Sequence, residues 1–350
     1  MIGKIFRKDP VARGAAGAAL SAVAALTLTM MISGVAAPAS AEEIKVGIIM
    51  EARPAEQPWS AAIYDAAQAL GKKNPSLKFL QSYKAYDPTS AEPVARQMLQ
   101  EGVVVLDMHS FALNDVAHVL AKEFPKIPIS VSSFDPPVQP NLSIGTASYL
   151  QVGYSNCWLL AKLSKSGKIA FVGAMPIPYA TELLKGCELG AAAANPAAKV
   201  LSGYGNSFSN PQTTREQAQG LLDQGADVLF PASATEDSLG GFQLCEQKKI
   251  PCAGWASDSR RYSANYGVIS AILDWTVLLE SLLKQHQTGK LEATTFDATF
   301  GNGGLISQPF EGAPAKLVPA DVQKGYADVV KALSQGKINL PKSQAHPCCT

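Results

Sequence analysis

Aromatic rings recur along this chain just after short apolar runs: Trp59, Phe111, Phe208, Trp255 and Trp275. Among them stand the Ser110 hydroxyl, the Met175-Pro176-Ile177-Pro178 segment and the carboxylates of Asp258 and Asp274. Flat rings supply stacking and a few polar groups fix orientation, so this set suits the capture of a planar heterocycle. Each ring alone is as readily explained by packing; the argument rests on their recurrence. A second chemistry is open to the same residues, because Asp258 and Asp274 could form the acid/base pair that glycoside hydrolysis requires. The chain has no G-x-S-x-G, H-E-x-x-H, P-loop or G-x-G-x-x-G, and Gly301-Asn302-Gly303-Gly304 reads as a turn, so binding is favoured over catalysis.

The elements that must position these residues alternate. β-Branched runs at residues 44–50, 77–81, 103–108 and 129–132 are separated by amphipathic segments at 59–70, 91–100 and 112–123. The pattern restarts with helices expected over 150–163, 180–194, 211–223 and 238–247, and strands over 169–172, 200–204, 228–231 and 252–255. Two βα series of this kind predict an α/β protein with two Rossmann-like lobes, each built on a parallel sheet. The expected division is residues 42–146 with 271–310 as lobe 1 and 147–270 as lobe 2, the chain returning to the first lobe near 270–273. A helical segment over 311–336 and a flexible tail over 337–350 complete it. Ligands of open parallel sheets bind beyond the carboxyl ends of the strands, which is where the rings and acids stand.

The first 41 residues carry Lys4, Arg7, Lys8 and Arg13, an apolar run over 15–35, and Ala39-Ser40-Ala41. This is the layout of a cleaved secretory signal, and it places the mature protein in the periplasm as a soluble chain. A membrane anchor is the competing reading of that run. The remaining 309 residues carry a formal charge of −2, which gives nucleic acid no electrostatic footprint. Six cysteines in an exported chain invite disulfides. Cys245 and Cys252 bracket a short helix-to-strand loop and are the favoured pair; Cys157 and Cys187 are open to pairing or burial, and Cys348-Cys349 has no evident partner. The four scattered histidines and the absence of C-x-x-C argue against a metal site, and no cofactor is expected.

The run Gly167-Lys168-Ile169-Ala170-Phe171-Val172-Gly173-Ala174-Met175-Pro176-Ile177-Pro178 is similar to a signature of the basic membrane protein family. These are substrate-binding proteins of ABC importers, related to purine nucleoside receptors. Ser207-Phe208-Ser209-Asn210-Pro211, Leu222-Asp223-Gln224-Gly225-Ala226-Asp227-Val228, Ala256-Ser257-Asp258 and Val318-Pro319-Ala320-Asp321-Val322 extend the resemblance over nearly all of the mature chain. It implies a type I periplasmic-binding fold, two lobes joined by a three-segment hinge that close on a ligand and pass it to a membrane permease. It also implies that a ring at Phe208 stacks on a base and that an acid at Asp258 helps hold a ribose. Nucleoside receptors carry a lysine where this chain has Ile272-Leu273-Asp274-Trp275, and Gly-Gly-Thr-Gly where it has Thr235-Glu236-Asp237-Ser238. Asp274-Trp275, together with Trp59, looks more like the branch associated with free purine bases such as adenine.

The expectation is therefore a monomeric solute receptor, not an enzyme, whose partners are a small-molecule ligand and an inner-membrane permease. The ligand is a purine base or nucleoside, stacked between Trp59, Phe111 and Phe208, with Ser110, Pro178 and Trp275 at the site and Asp258 and Asp274 as polar anchors. A non-purine polar metabolite such as an amide or amino acid is the alternative, and a secreted hydrolase using Asp258 and Asp274 the more distant one.

Overall fold

A computed structural model describes residues 43–343; the expected signal segment and Cys348-Cys349 lie outside the described residues. The chain begins with β1 (Ile44–Met50), α1 (Pro58–Lys73), β2 (Leu77–Ser82), α2 (Pro88–Gln100), β3 (Val105–His109), α3 (Asn114–Glu123), β4 (Ile129–Ser132) and β5 (Leu142–Ala147). It continues through α4 (Tyr149–Leu163), β6 (Lys168–Gly173), α5 (Pro178–Ala194), β7 (Lys199–Tyr204), α6 (Pro211–Asp223), β8 (Val228–Pro231), α7 (Ser238–Lys248), β9 (Cys252–Ala256) and β10 (Gly267–Leu273). After β10 come α8 (Thr276–Thr288), β11 (Thr294–Ala298), β12 (Leu305–Ser307), α9 (Gly312–Ala315) and α10 (Ala320–Ser334).

Two six-stranded sheets result. One has the order β11-β5-β4-β3-β1-β2 and is wholly parallel; the other has the order β12-β10-β9-β8-β6-β7, with only β12 antiparallel to its neighbour. Strands β1, β3 and β8 are buried along most of their length, as continuous apolar runs in a helix-covered parallel sheet should be. Four helices begin with a proline at their first turn, Pro58, Pro88, Pro178 and Pro211, where the missing N–H costs no intrahelical bond. Asp87 and Asn210 add side-chain caps, accepting from the backbone N–H of Ser90 and Gln212.

The chain crosses between the sheets three times: at Ser148, at Asp274-Trp275, and over residues 299–304. The crossings are tied to one another, since the Ser148 N–H donates to Ala298 O at 2.9 Å and the Asp274 N–H to Gly304 O at 2.9 Å.

The structure departs from the sequence reading in four places. Residues 142–147, where the sequence pattern predicts no strand, form β5, fully buried within the first sheet. Residues 270–273, expected back in the first lobe, lie in β10, which pairs with β9; their small and β-branched residues fit either sheet, and register with residues 252–256 decides. Only α8 and β11 return to the first lobe, before β12 crosses back. Within the expected flexible tail, Ile338 and Leu340 pack against the core and the Ser343 hydroxyl donates to both Glu182 carboxylate oxygens at 2.9 and 3.0 Å.

Helices α4 and α5 approach so closely that a Cβ on Gly153, Gly186 or Gly190 would fall within 2.3 Å of a carbonyl oxygen on the other helix. Cys157 and Cys187 join the same two helices, with 4.8 Å between their Cα atoms. Cys245 and Cys252 join the end of α7 to the start of β9, at 6.3 Å.

Candidate ligand-binding site

Residues just beyond the carboxyl ends of strands in both sheets wall one cavity of about 290 Å³. From the first lobe come Glu51 after β1, Trp59 in the first turn of α1, Tyr86 ahead of α2, Phe111 after β3 and Phe134 after β4. From the second come Tyr149 and Tyr179 at the starts of α4 and α5, Ile177, Phe208 after β7, Ser233 and Thr235 after β8, and Trp255 in β9. Eight of these side chains are aromatic. The space is at the lower end of the range for small-molecule sites, roughly 300–1,000 Å³.

The rings are mutually braced. Trp59 stacks on His109 with centroids 4.8 Å apart and meets the edges of Trp255 and Trp275 at 6.0 and 5.6 Å. Phe111 stacks on Phe134 at 4.6 Å, and Tyr149 lies 5.5 Å from Tyr179 and 5.7 Å from Trp255. The Trp255 indole N–H donates to Ala232 O at 3.0 Å, which fixes that ring. Behind Trp59, the buried His109 Nδ1 lies 3.2 Å from Asp107 Oδ2, and Asp107 Oδ1 accepts from Ser130 Oγ at 2.5 Å.

The lobes touch around the cavity. The first N–H groups of a helix have no intrahelical acceptor, and Trp59, in that position on α1, donates its N–H to Ala234 O at 3.0 Å. Tyr86 Oη donates to Glu236 at 2.7 Å, Tyr262 Oη donates to Pro54 O at 3.0 Å, and Arg261 pairs with Asp65 at 2.8 Å. Lys84, Asn206, Ala234 and Ala256 hold positive φ angles of 64, 54, 58 and 71°, a conformation disfavoured for side-chain-bearing residues. All four lie at or just after strand ends, where strain concentrates at ligand clamps.

The polar part has one carboxylate at the wall and another beneath it. Glu51 Oε2 accepts from Gln57 Nε2 at 2.8 Å, and Gln57 in turn accepts from Ser60. Beneath Ser233 and Thr235, the buried Asp237 accepts from both hydroxyls and from Thr214. Burial pushes the Asp237 carboxyl up, against the pull of those three hydroxyls. The Tyr179 phenol is pushed well up, mainly by burial and then by Asp237. Tyr86 rises to about 12, mainly by burial and then through its bond to Glu236.

Of the sequence-predicted residues, Trp59, Phe111 and Phe208 line the cavity, and Phe208 stands at its exposed rim, 43% accessible. The other five do not line it. Ser110 is buried and accepts from the Ala112 N–H as a cap; Pro178 opens α5 between two residues that do line the cavity. Asp258 is held by the Arg260 guanidinium, which donates to both its oxygens. Asp274 accepts from the Thr276 N–H and hydroxyl, and Trp275 is wholly buried behind Trp59. The hydrolase reading needs two free acids at one space, and these two are committed elsewhere.

Glu51, Tyr86, Phe134, Tyr149 and Tyr179 were missed as site residues. Tyr86 and Phe134 follow strands, and the strand-end rule applied to β2 and β4 finds them. Tyr149 and Tyr179 lie inside the first turns of helices, which that rule reaches only when the intervening loop is short.

The family profile described as Bmp, the PnrA-like ABC transporter substrate-binding proteins, matches residues 43–301. The chain belongs to this family. A purine-binding protein of Brucella abortus (strain 2308) is similar, 24% identical over 85% of this chain and 83% of its own length. So is the ABC transporter nucleoside-binding protein BmpA of Lactococcus lactis subsp. cremoris, 23% identical over 85% of this chain and 89% of its own. Among solved structures, an ABC transporter solute-binding protein from Conexibacter woesei matches with a TM-score of 0.71 and 28% identity, over 85% of this chain and 98% of that one. The fold is that of type I periplasmic solute-binding proteins, and the family binds solutes for ABC importers.

Proposed function

We propose that this chain is the periplasmic receptor of an ABC importer for a purine base such as adenine, handed to an inner-membrane permease after residues 1–41 are removed. The observation that carries the reading is the small inter-lobe cavity walled by eight aromatic rings, because a flat heterocycle fills it with stacking on several sides. The purine-binding relative supports the class of ligand. A free base is favoured over a nucleoside because Asp258, the acid expected at a ribose, is held by Arg260 and does not line the cavity. Glu51 is the acceptor within reach of a ring N–H or exocyclic amine.

Binding energy in such a receptor shifts an open–closed equilibrium, and the contacts from Trp59, Tyr86, Arg261 and Tyr262 across the lobes belong to the closed form. A thermal-shift screen of the mature protein against purine bases, nucleosides, pyrimidines, amino acids and amides tests the proposal. A larger rise with adenine than with adenosine is expected; a rise confined to non-aromatic solutes would discard the purine assignment.

A further inference from the structure

The cavity's charge is one-sided. Among the described residues Glu51 is its one charged lining residue, and the Gln57 amide donates to its carboxylate. Asp237 lies directly beneath Ser233 and Thr235, and Glu236 is bonded to Tyr86 at the rim. The basic side chains on the loops after β1 and β2, Arg53 and Lys84, both lie against Glu56, at 3.8 and 3.9 Å. Among the described residues, no lysine, arginine or histidine lines the space. A half-buried carboxylate at the wall of an apolar cavity gains from a counter-charge, and the faces of Trp and Tyr rings attract cations for the same electrostatic reason.

Resting on the reading of the cavity as a heterocycle site, we infer that, among nitrogen heterocycles of one size, it prefers those that carry positive charge, with Glu51 as the specificity-determining residue. The positive ring sits among the aromatic faces with its charged edge toward Glu51. Anionic solutes are excluded by the same field. The burial-raised Tyr86 and Tyr179 phenols, which stay neutral and add no cationic or anionic partner at neutral pH, are consistent with this.

Two isomers of equal size separate charge from shape: 1,9-dimethyladenine, cationic near neutral pH, and N6,9-dimethyladenine, which is neutral. Calorimetric titration of the wild-type protein should show the cation binding about tenfold tighter, with an advantage that shrinks as NaCl is raised. Glu51→Gln, checked by its melting curve, should bring the two isomers level. Equal affinities in the wild type, or preference for the neutral isomer, overturn the inference. If neither purine binds, the purine reading fails, and 1-methylnicotinamide against nicotinamide decides the charge question: preference for the methylated cation upholds it, and equal or absent binding overturns it.

Discussion

The Trp59 main-chain N–H donates to the Ala234 carbonyl at 3.0 Å, from the first turn of a helix in one lobe to a left-handed residue in a loop of the other. The same residue presents its indole to the cavity and its opposite face to His109. Trp59 therefore reports both ligand occupancy and lobe position, and its fluorescence is a ready signal for each.

The contacts across the cleft are few and polar, so loosening them should favour the open form. Tyr86→Phe combined with Arg261→Ala removes the bond to Glu236 and the pair with Asp65. Exposed pairs of this sort contribute about 1 kcal/mol or less, so ligand affinity should fall only about two- to tenfold. Small-angle scattering of the ligand-free double variant should show a larger radius of gyration than wild type; an unchanged radius would mean that these contacts do not hold the lobes.

Phe208 and Trp59 should respond differently to truncation. Phe208 is 43% exposed at the rim, so Phe208→Ala should weaken ligand binding while leaving the melting temperature nearly unchanged. Trp59 is 4% exposed and packs on four other rings, so Trp59→Ala should also lower stability, by about 3–5 kcal/mol. Denaturant melts alongside titrations separate the two effects.

Asp297 on β11 carries a pH signature. Burial, reinforced by the charge of Glu182, pushes its carboxyl from the ordinary 3.8 up to about 6. The folded state then holds this proton more tightly than the unfolded chain does. Stability from this group is fully present below pH 4 and is lost as pH rises toward 6, a difference of about 3 kcal/mol at most. Asp297→Asn should consequently melt higher than wild type at pH 7.5 and level with it near pH 4; a constant gap across that range would contradict the assignment.

Replacing Cys157 and Cys187 together by alanine should destabilise the protein by about 2–4 kcal/mol, the usual range for a native cross-link. Calorimetry of the double variant against the oxidised wild type measures this. Because the disulfide joins the two helices whose first turns carry Tyr149 and Tyr179, ligand affinity should drop as well, although the sulfurs are no part of the cavity wall.

The architecture was legible because each buried strand reads as an apolar run and each helix as an amphipathic one. Strand β4 and helix α6 fall where the pattern puts them. Strand β5, Leu-Ser-Ile-Gly-Thr-Ala, was not, because its alternating small polar residues resemble a linker; they are tolerated since Ser143 and Thr294 share a hydroxyl contact at 3.1 Å. In the site, the rings of Trp59, Phe111, Phe208 and Trp255 stand out from strand-end position alone, and the same rule extended to β2 and β4 reaches Tyr86 and Phe134. The acids could not be assigned from position, because a local partner decides whether an aspartate faces a ligand. Arg260 two residues after Asp258, and Thr276 two after Asp274, claim those carboxylates, while Glu51 has only an amide beside it.

The glycine seam between α4 and α5 limits how this receptor can be re-engineered. With backbone against backbone along that seam, the second-lobe rings at the two helix starts have no room to change spacing. A ligand of different outline has to be accommodated by mutating the first-lobe wall, where Tyr86, Phe111 and Phe134 stand on separate loops. The two tyrosines at the helix starts are a fixed template, and the loops around them are where new specificities can be written.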